Sequence, residues 1–222
     1  MLESKKTDNI LEEIIPNAFT FKMVKVEGGT FSMGDNDSKT EGEKRVHKVT
    51  IPDFYISPYT VTNAQYAVFL NDYGSDRMLN GEYEGKKMVY EHNWGMNKRG
   101  KDWYAATGFE QHPIINVTWY GAVEYCNWLS QKTEQSYRLP SESEWEFAAR
   151  GGNKSLGFQY AGSHKLKEVG WFKLNSFFET KPVGLKLPNE LGLYDMSGNI
   201  WEWCADNWEE NYEYTALSLI HI

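Results

Sequence analysis

The chain contains few of the residues that hold transition metals or act as catalytic nucleophiles. Its 222 residues include two cysteines, Cys126 and Cys204, and five histidines. The cysteines lie far apart and neither forms a CxxC pair, and no histidines show the HExxH spacing. These absences exclude zinc-ribbon, thioredoxin-like and zinc-protease motifs. We expect both thiols to be buried and to pack as small hydrophobic side chains.

Positive charge and long apolar runs are also scarce. The chain has 23 Lys and Arg against 31 Asp and Glu, a formal net charge of −8. An acidic chain without a basic block is a poor candidate for binding nucleic acid or an anionic membrane surface. No apolar run approaches the roughly 20 residues of a membrane span, and the N-terminal residues lack a signal-peptide pattern. As written, the sequence predicts a cytoplasmic protein with no nucleic-acid partner and no membrane.

What the sequence does contain is aromatic surface, glycine and clear helix starts. Hydrophobic residues make up 41% of the chain, aromatics 15%, and there are 19 glycines, which predicts a real core with many loops. Three segments begin with a side-chain N-cap followed by apolar residues at helical spacing. The predicted N-caps are Thr62, Thr118 and Ser141. The first helix is expected to end at Gly74 and the third at Gly151–Gly152; no helix is expected after Gly152.

Alternating patterns predict strands before the first helix. Residues 21–34, "FKMVKVEGGTFSMG", alternate around a Gly-Gly pair, which is typical of a hairpin. Residues 47–62, "HKVTIPDFYISPYTVT", predict a second strand pair. Residues 1–20 form a lead-in, with a helix considered through "NILEEII" at 9–15. Few helices among many short strands, without regular alternation, predict the α+β class.

Residues 74–113 form a long excursion rich in Gly, Lys and Asn, with a strand-like "KMVYE" at 87–91. Long excursions often shape a binding face. Its tryptophans, Trp94 and Trp103, are therefore expected to be exposed. The tryptophans expected in the core are Trp119, Trp128, Trp145, Trp201 and Trp203. A further expectation is an ion pair between Arg138 and either Glu144 or Glu146, which would hold geometry more than it adds stability.

Five motifs in order resemble one known family. They are "VEGGTFSMG" (26–34), "YTVTNAQYAVFL" (59–70), "PIINVTWYGAVEYCNWL" (113–129), "YRLPSESEWEFAARGG" (137–152) and "PNELGLYDMSGNIWEWCADNW" (188–208). Together they resemble the formylglycine-generating enzymes, also called sulfatase-modifying factors. The resemblance implies an α+β fold, the formylglycine-generating-enzyme variant of the C-type lectin-like fold. That fold is loop-rich, with two to three helices and short antiparallel strands.

The resemblance also implies a chemistry. The family's namesakes oxidise a sulfatase cysteine to formylglycine with copper(I) and molecular oxygen, so the implied partner is a sulfatase-like protein or peptide substrate. Two cysteines near the family's C-terminus, beyond an "RGGSW"-like motif, hold the copper. This chain has neither that motif nor a cysteine beyond Cys204. Copper is therefore expected only in an intact protein, and no catalytic or cofactor-binding residue is assigned within the chain.

The last residues of the sequence have an unusual composition of their own. The last six residues, "LSLIHI" (217–222), match one reading frame of a transposase end sequence used in preparing sequencing libraries. We therefore expect 217–222 to be adapter-derived, with a natural apolar tail as the alternative. The expected organisation is a lead-in at 1–20 and a sulfatase-modifying-factor domain at 21–214 that is incomplete at its C-terminus.

The family resemblance gives the stretch "LYDMSGNIWEWCAD" (193–206) a role as a structural calcium loop. Carried over by position, Asp195 and Glu202 would supply carboxylate oxygens, and Gly198 and Ile200 backbone carbonyls. Calcium takes six to eight hard oxygen ligands from such groups in flexible loops. The alternative is that Asp195 only caps a turn and Glu202 pairs with an arginine.

Three functions stay open on the sequence. The first is an oxidase of the formylglycine-generating type whose catalytic cysteines lie in a missing segment. The second is a non-catalytic binding module, in which the same scaffold presents residues 74–113 to an unknown ligand. The third, an iron-dependent sulfur-transfer enzyme, needs a helical bundle before Phe21, where only about 20 residues precede it in this sequence.

Overall fold

Most strands precede the first helix in the computed structural model, which describes residues 5–6, 9–15, 18–36, 46–207 and 217–219. The strands are β1 (Lys5–Lys6), β2 (Ile10–Ile15), β3 (Phe19–Val26), β4 (Gly29–Met33), β5 (His47–Ile51), β6 (Phe54–Ile56), β7 (Met96–Arg99), β8 (Asp102–Ala105), β9 (Trp203–Asn207) and β10 (Leu217–Leu219). The α-helices are α1 (Asn63–Tyr73), α2 (Trp119–Thr133), α3 (Glu142–Ala149), α4 (Leu166–Val169) and α5 (Lys173–Ser176). A 3₁₀ turn spans Gly152–Lys154. The predicted α+β class, loop-rich with short antiparallel strands, is confirmed.

The largest sheet has the strand order β1-β2-β3-β6 and is antiparallel throughout. The helix considered at residues 9–15 is wrong, because this segment is strand β2 and pairs along its whole length with β3. Period-two burial decides the outcome: Glu13 and Ile15 are both buried, on the same face of the strand. Pairing with β3 also satisfies the backbone polar groups of this segment. A helix of only seven residues would be marginally stable on its own.

The strands predicted at 21–34 and 47–62 are present, but their predicted pairings are wrong. β3 pairs with β6, and β4 pairs with β5, so the β4–β5 hairpin is inserted between two partners of the main sheet. The Gly-Gly pair does not close a hairpin. A Cβ on Gly28 would lie 2.3 Å from the Ile51 carbonyl oxygen, so a glycine is needed where two backbones cross.

The three longer helices begin at the predicted caps. The Thr62 and Ser141 hydroxyls accept hydrogen bonds from the backbone N–H three residues later, and Gln65 and Glu144 complete both capping boxes. Thr118 caps α2 in the same manner, without the reciprocal side chain. Gly74 ends α1 in the left-handed conformation, with a φ of 78°. Local capping chemistry is therefore enough to predict where these helices start.

Elements after Gly152 and within the 74–113 excursion differ from expectation. The short helices α4 and α5 were missed, because four residues are too few to show helical periodicity. The predicted strand at 87–91 is wrong: only isolated bridges occur there, from Lys87 to Arg77 and from Val89 to Val117. The strands of the excursion are β7 and β8, which form a two-stranded ribbon.

Three hydrophobic clusters organise the core of the described residues. One packs α1 against α2 and the excursion, with Phe69 and Trp128 among its members; a second joins α3 to Leu193 and Cys204, and a third contains Val26, Ile51 and Phe147. Two tryptophan predictions are wrong. Trp103 is 3% exposed, because Asn71 holds its backbone N–H and C=O against α1, and Trp201 is 51% exposed.

The tryptophan predictions are confirmed for Trp94, Trp128 and Trp145 and met in part by Trp119 and Trp203. Trp128 and Trp145 are buried, Trp119 and Trp203 are half-buried, and Trp94 is exposed. Among the residues the structure describes, no helix has both the length and the apolar character of a bilayer span.

Residues 208–216 and 220–222 lie outside the described part of the chain, so the predicted end of the domain at 214 and most of the segment 217–222 stay predictions. Leu217–Leu219 pairs antiparallel with β9, with an irregular register.

Candidate metal centre

The loop between Leu193 and β9 is held in one unusual backbone conformation. Asp195 and Asn199 both have left-handed φ angles, of 58° and 74°. Gly198 has a φ of 149°, and a Cβ there would lie 2.3 Å from the Trp171 carbonyl oxygen. Only glycine fits at this point, because the loop lies directly against the neighbouring backbone.

Asn199 ties the loop to the segment before it. Its side-chain amide accepts a hydrogen bond from the Lys181 N–H and donates one to the Lys181 carbonyl, both at 2.9 Å. Its backbone N–H donates to the Trp171 carbonyl oxygen at 2.9 Å. The loop is therefore fixed in place before any ligand binds.

Asp195 is buried and only half satisfied. The residue is 1% exposed. Its Oδ2 accepts a hydrogen bond from the Gly184 N–H at 2.8 Å, whereas Oδ1 is buried without a hydrogen-bond partner. Burial raises the pKa of this carboxyl, against the opposing effects of the Gly184 N–H and the Lys186 charge. The position therefore favours a positive partner for Oδ1.

Glu202 shows the same half-satisfied arrangement. Its Oε2 accepts a hydrogen bond from the Trp145 indole N–H at 3.1 Å, and Oε1 is shielded from solvent without a partner. Burial raises the pKa of Glu202 to about 7; the Trp145 N–H works against this shift, and the negative charge of Asp195 adds to it. The two carboxylates therefore lie close enough to repel each other when both are ionised.

The arginine partner considered for Glu202 is not found among the described residues. Arg138 instead makes a bidentate pair with Glu144, with both N–O distances at 2.7 Å. Glu146 pairs with Arg150. The predicted ion pair of Arg138 is thus resolved in favour of Glu144.

The donor set of the loop fits a hard cation. Asp195 and Glu202 each offer one buried oxygen that lacks a partner, and the predicted carbonyls of Gly198 and Ile200 belong to the same turn. The Gly198 carbonyl accepts the Ile200 N–H at 3.0 Å, which leaves it a second lone pair. Within the described ranges, no cluster of three or more His, Cys, Asp or Glu could hold a metal ion. Two carboxylates supplemented by carbonyls suit calcium and not a metal that prefers nitrogen or sulfur.

The described cysteines do not fit copper. Cys204 on β9 is fully buried, and burial raises its thiol pKa far above the usual range. Cys126 on α2 is half-buried, and burial raises its pKa to about 12. Copper(I) is bound by thiolates, and both groups are held as neutral thiols on different elements. The expectation of a buried thiol is confirmed for Cys204 and met in part by Cys126.

Three supporting groups of the site were not predicted. They are the Gly184 N–H on Asp195, the Trp145 N–H on Glu202 and the Asn199 amide on Lys181. Gly184 lies 11 residues before Asp195 and Trp145 lies 57 residues before Glu202, so neither contact is visible within the motif itself. Asn199 could have been recognised, because asparagine after glycine often takes the left-handed conformation in turns.

Comparison with known proteins identifies the family of this chain. Residues 14–220 match the model of the sulfatase-modifying factor enzyme 1-like domain. The formylglycine-generating enzyme of Thermomonospora curvata is 32% identical over 238 residues, covering 90% of this chain and 76% of that protein. The chain therefore belongs to the sulfatase-modifying factor family.

Two further similarities extend the family context. The serine/threonine-protein kinase Pkn1 of Chlamydia trachomatis is 36% identical over 208 residues, which cover 93% of this chain but 31% of the kinase. The chain thus spans about a third of the length of that relative. The structure of PvdO from Pseudomonas aeruginosa superposes with a TM-score of 0.63 at 30% identity, covering 86% of this chain and 72% of PvdO. The predicted family and its variant of the C-type lectin-like fold are confirmed.

Proposed function

We propose that this chain is the calcium-braced portion of a protein that oxidises a sulfatase cysteine to formylglycine. The observation that carries the proposal is the loop 195–202, where two buried carboxylates each leave one oxygen without a partner. The similarity to formylglycine-generating enzymes over most of the chain supports the family chemistry. The kinase similarity carries no proposal of kinase activity, because the sequence has no GxGxxG motif.

The role proposed for calcium is structural. Bound at Asp195, Glu202 and the carbonyls of Gly198 and Ile200, the cation would neutralise two charges that otherwise repel. The loop joins three parts of the molecule: α3 through Trp145, the 181–184 segment through Asp195 and Asn199, and β9 directly. Calcium would therefore stiffen the junction from which β9 leads to the following segment.

The oxidation is proposed to depend on residues outside these 222. In the family, a pair of cysteine thiolates holds copper, and that group supplies oxygen activation. Cys126 and Cys204 do not form such a pair, because they lie far apart in sequence and on different elements, α2 and β9. We place the copper ligands in sequence that continues the domain, and derive no catalytic step from this chain.

The experiment is to sequence the gene past codon 214 and to assay both forms. The 222-residue chain, given copper(I) and oxygen, should leave a sulfatase peptide carrying CxPxR unconverted, as mass spectrometry of the peptide would show. A longer product containing an "RGGSW"-like motif and a close cysteine pair should convert the cysteine to the aldehyde. Conversion by the 222-residue chain itself would contradict the proposal.

The gene sequence also tests the alternative. A continuation without a cysteine pair would make the protein a calcium-braced binding module instead. Genomic DNA that encodes "LSLIHI" in frame would show that residues 217–222 are natural.

A further inference from the structure

A cleft of about 250 Å³ lies outside the candidate metal centre, between the β2–β3 hairpin and the turn at 191–194. Its apolar walls come from Val24 on β3 and Leu191 on the turn, and Tyr59 and Tyr194 form one side. The family motifs assign no role to this space. The cleft is therefore a candidate binding site distinct from the carboxylates of the loop 195–202.

Positive charge is concentrated at this cleft although the chain is acidic. Lys22, Lys25 and Lys154 all line it, and none of the described lining residues is acidic. The net charge of the whole chain is −8. Such a local reversal of sign attracts anions and excludes cations.

The three lysines are not equally available. Lys25 already pairs with Asp53 at 3.0 Å, so its ammonium group has a carboxylate partner. Lys22 and Lys154 are exposed and have no ion-pair partner within the described ranges. Glu12 is the cross-strand neighbour of Lys22. The cleft therefore presents two cationic groups outside the described ion pairs, and a ligand anion would compete with Glu12 for Lys22.

The two tyrosines of the cleft, Tyr59 and Tyr194, are held in fixed positions by contacts with each other and with the backbone, and together they form the tyrosine wall. The rings of Tyr59 and Tyr194 stack with centroids 4.9 Å apart and an interplanar angle of 27°. The Tyr194 N–H donates to the Pro58 carbonyl oxygen at 3.0 Å, which fixes the two segments against each other. Gly184 lies behind Tyr59, where a Cβ would approach the ring to 2.6 Å. Tyr59 remains 40% exposed and lines the cleft.

We propose that this cleft binds a small organic anion with a flat apolar body, of the aromatic carboxylate type. The aromatic body would pack on the tyrosine wall and the aliphatic floor. The anionic group would lie between Lys22 and Lys154. Two free lysines without an arginine suit a single carboxylate better than a polyphosphate, which needs more charge and bidentate donors.

The test uses the full 222-residue chain and two fluorescent probes of similar shape. One is 8-anilinonaphthalene-1-sulfonate, which is anionic; the other is N-phenyl-1-naphthylamine, which is neutral. The anionic probe should bind saturably with one site, and indole-3-acetate should displace it where uncharged 3-methylindole does not. Absence of saturable binding, or equal displacement by both competitors, would overturn the proposal.

Charge-reversal variants locate the site. The double variant Lys22→Glu/Lys154→Glu should weaken binding of the anionic probe at least about tenfold, and that of the neutral probe less than about twofold. The matched control Lys86→Glu/Lys101→Glu carries the same change in net charge at exposed lysines of the 74–113 excursion. Equal weakening in the control would show a general charge effect and refute the site.

A third variant guards against binding at other apolar surfaces. Phe177 and Phe178 are 79% and 68% exposed and could take up either dye. Phe177→Ser/Phe178→Ser should therefore leave the displaceable component of the anionic probe unchanged; loss of that component would refute the cleft as the site. Melting temperatures of all variants establish that they fold. The readout needs neither calcium nor oxidase activity, so its outcome is independent of the proposed function.

Discussion

At Asp195 and Glu202, one carboxylate oxygen is hydrogen-bonded and the other has no partner. A buried acceptor left in this state costs about 1–3 kcal/mol, and more when it carries a charge. Two such groups that repel each other are expensive for a metal-free protein. The same arrangement becomes favourable when one divalent cation contacts both oxygens.

The variant Asp195→Asn/Glu202→Gln tests this reasoning with side chains of nearly unchanged shape. Saturating calcium should raise the melting temperature of the wild-type chain by about 5–10 °C. The double variant should respond by less than about 1 °C, because amides cannot replace both anionic ligands. Differential scanning calorimetry with calcium and with a chelator measures both values.

The control for calcium binding is Glu168→Gln. Glu168 is a carboxylate in contact with Lys165 and the Ser163 hydroxyl, outside the loop 195–202. Its variant should keep the full calcium response. If calcium does not change the melting temperature of the wild-type chain, the proposed metal centre is wrong.

The N-terminus of α3 is held by several side-chain hydrogen bonds. Glu144 accepts two hydrogen bonds from Arg138 and one from the Ser141 N–H, and the Ser141 hydroxyl accepts the Glu144 N–H. The Asp206 carboxylate on β9 accepts the Glu142 N–H. Burial opposes ionisation of Glu144, but the Arg138 and Ser141 hydrogen bonds prevail and lower its pKa. The helix start thus fastens the 138–141 segment and β9 to one point.

Glu144→Gln should lower the free energy of unfolding by about 2 kcal/mol, measured by urea denaturation at neutral pH. The side chain is 6% exposed, and the change removes the charge that Arg138 contacts in bidentate geometry. The matched control is Glu146→Gln, two residues further along α3, because the Glu146 side chain is 20% exposed and pairs with Arg150. The control should lose less than about 1 kcal/mol. Equal decreases in the free energy of unfolding for the two variants would show that the capping network at Glu144 stabilises the protein no more than the exposed ion pair does.

For the whole molecule, the raised pKa of Glu202 predicts that the metal-free chain loses stability as the pH rises. The folded state retains the Glu202 proton up to a pKa of about 7, whereas the ordinary value is 4.5. The folded chain therefore binds more protons than the unfolded chain between these values. The contribution of protonated Glu202 to the free energy of unfolding is fully present below about pH 4.5. It is lost as the pH rises towards 7, which lowers the free energy of unfolding by up to about 3 kcal/mol.

Thermal melts in chelator from pH 4.5 to 7.5, compared between wild type and Glu202→Gln, isolate this contribution. The difference between the two curves should favour the variant increasingly as the pH rises. With calcium present, the wild-type chain should no longer lose stability as the pH rises, since the bound cation favours the ionised form of Glu202. A pH-independent difference would mean that Glu202 is ionised throughout the range.

The residues of the candidate site could be named from sequence, but their environment could not. Asp195, Gly198, Ile200 and Glu202 follow from one local motif and the family resemblance. The unpartnered oxygens arise because Gly184 and Trp145 satisfy only one oxygen each. Whether an atom is satisfied depends on segments far away in the chain, which no local pattern records.

By itself, the sequence determined the α+β class, the three longer helices and the turn at 195–202. Caps such as Thr62 and Ser141 act within four residues, so local chemistry is enough to place them. Tertiary structure decided that residues 10–15 form a strand, that β3 pairs with β6 across an inserted hairpin, and that Trp103 is buried while Trp201 is exposed. Strand pairing and side-chain burial are settled between distant segments that compete for the same partners, and that competition has no counterpart in a short stretch of sequence.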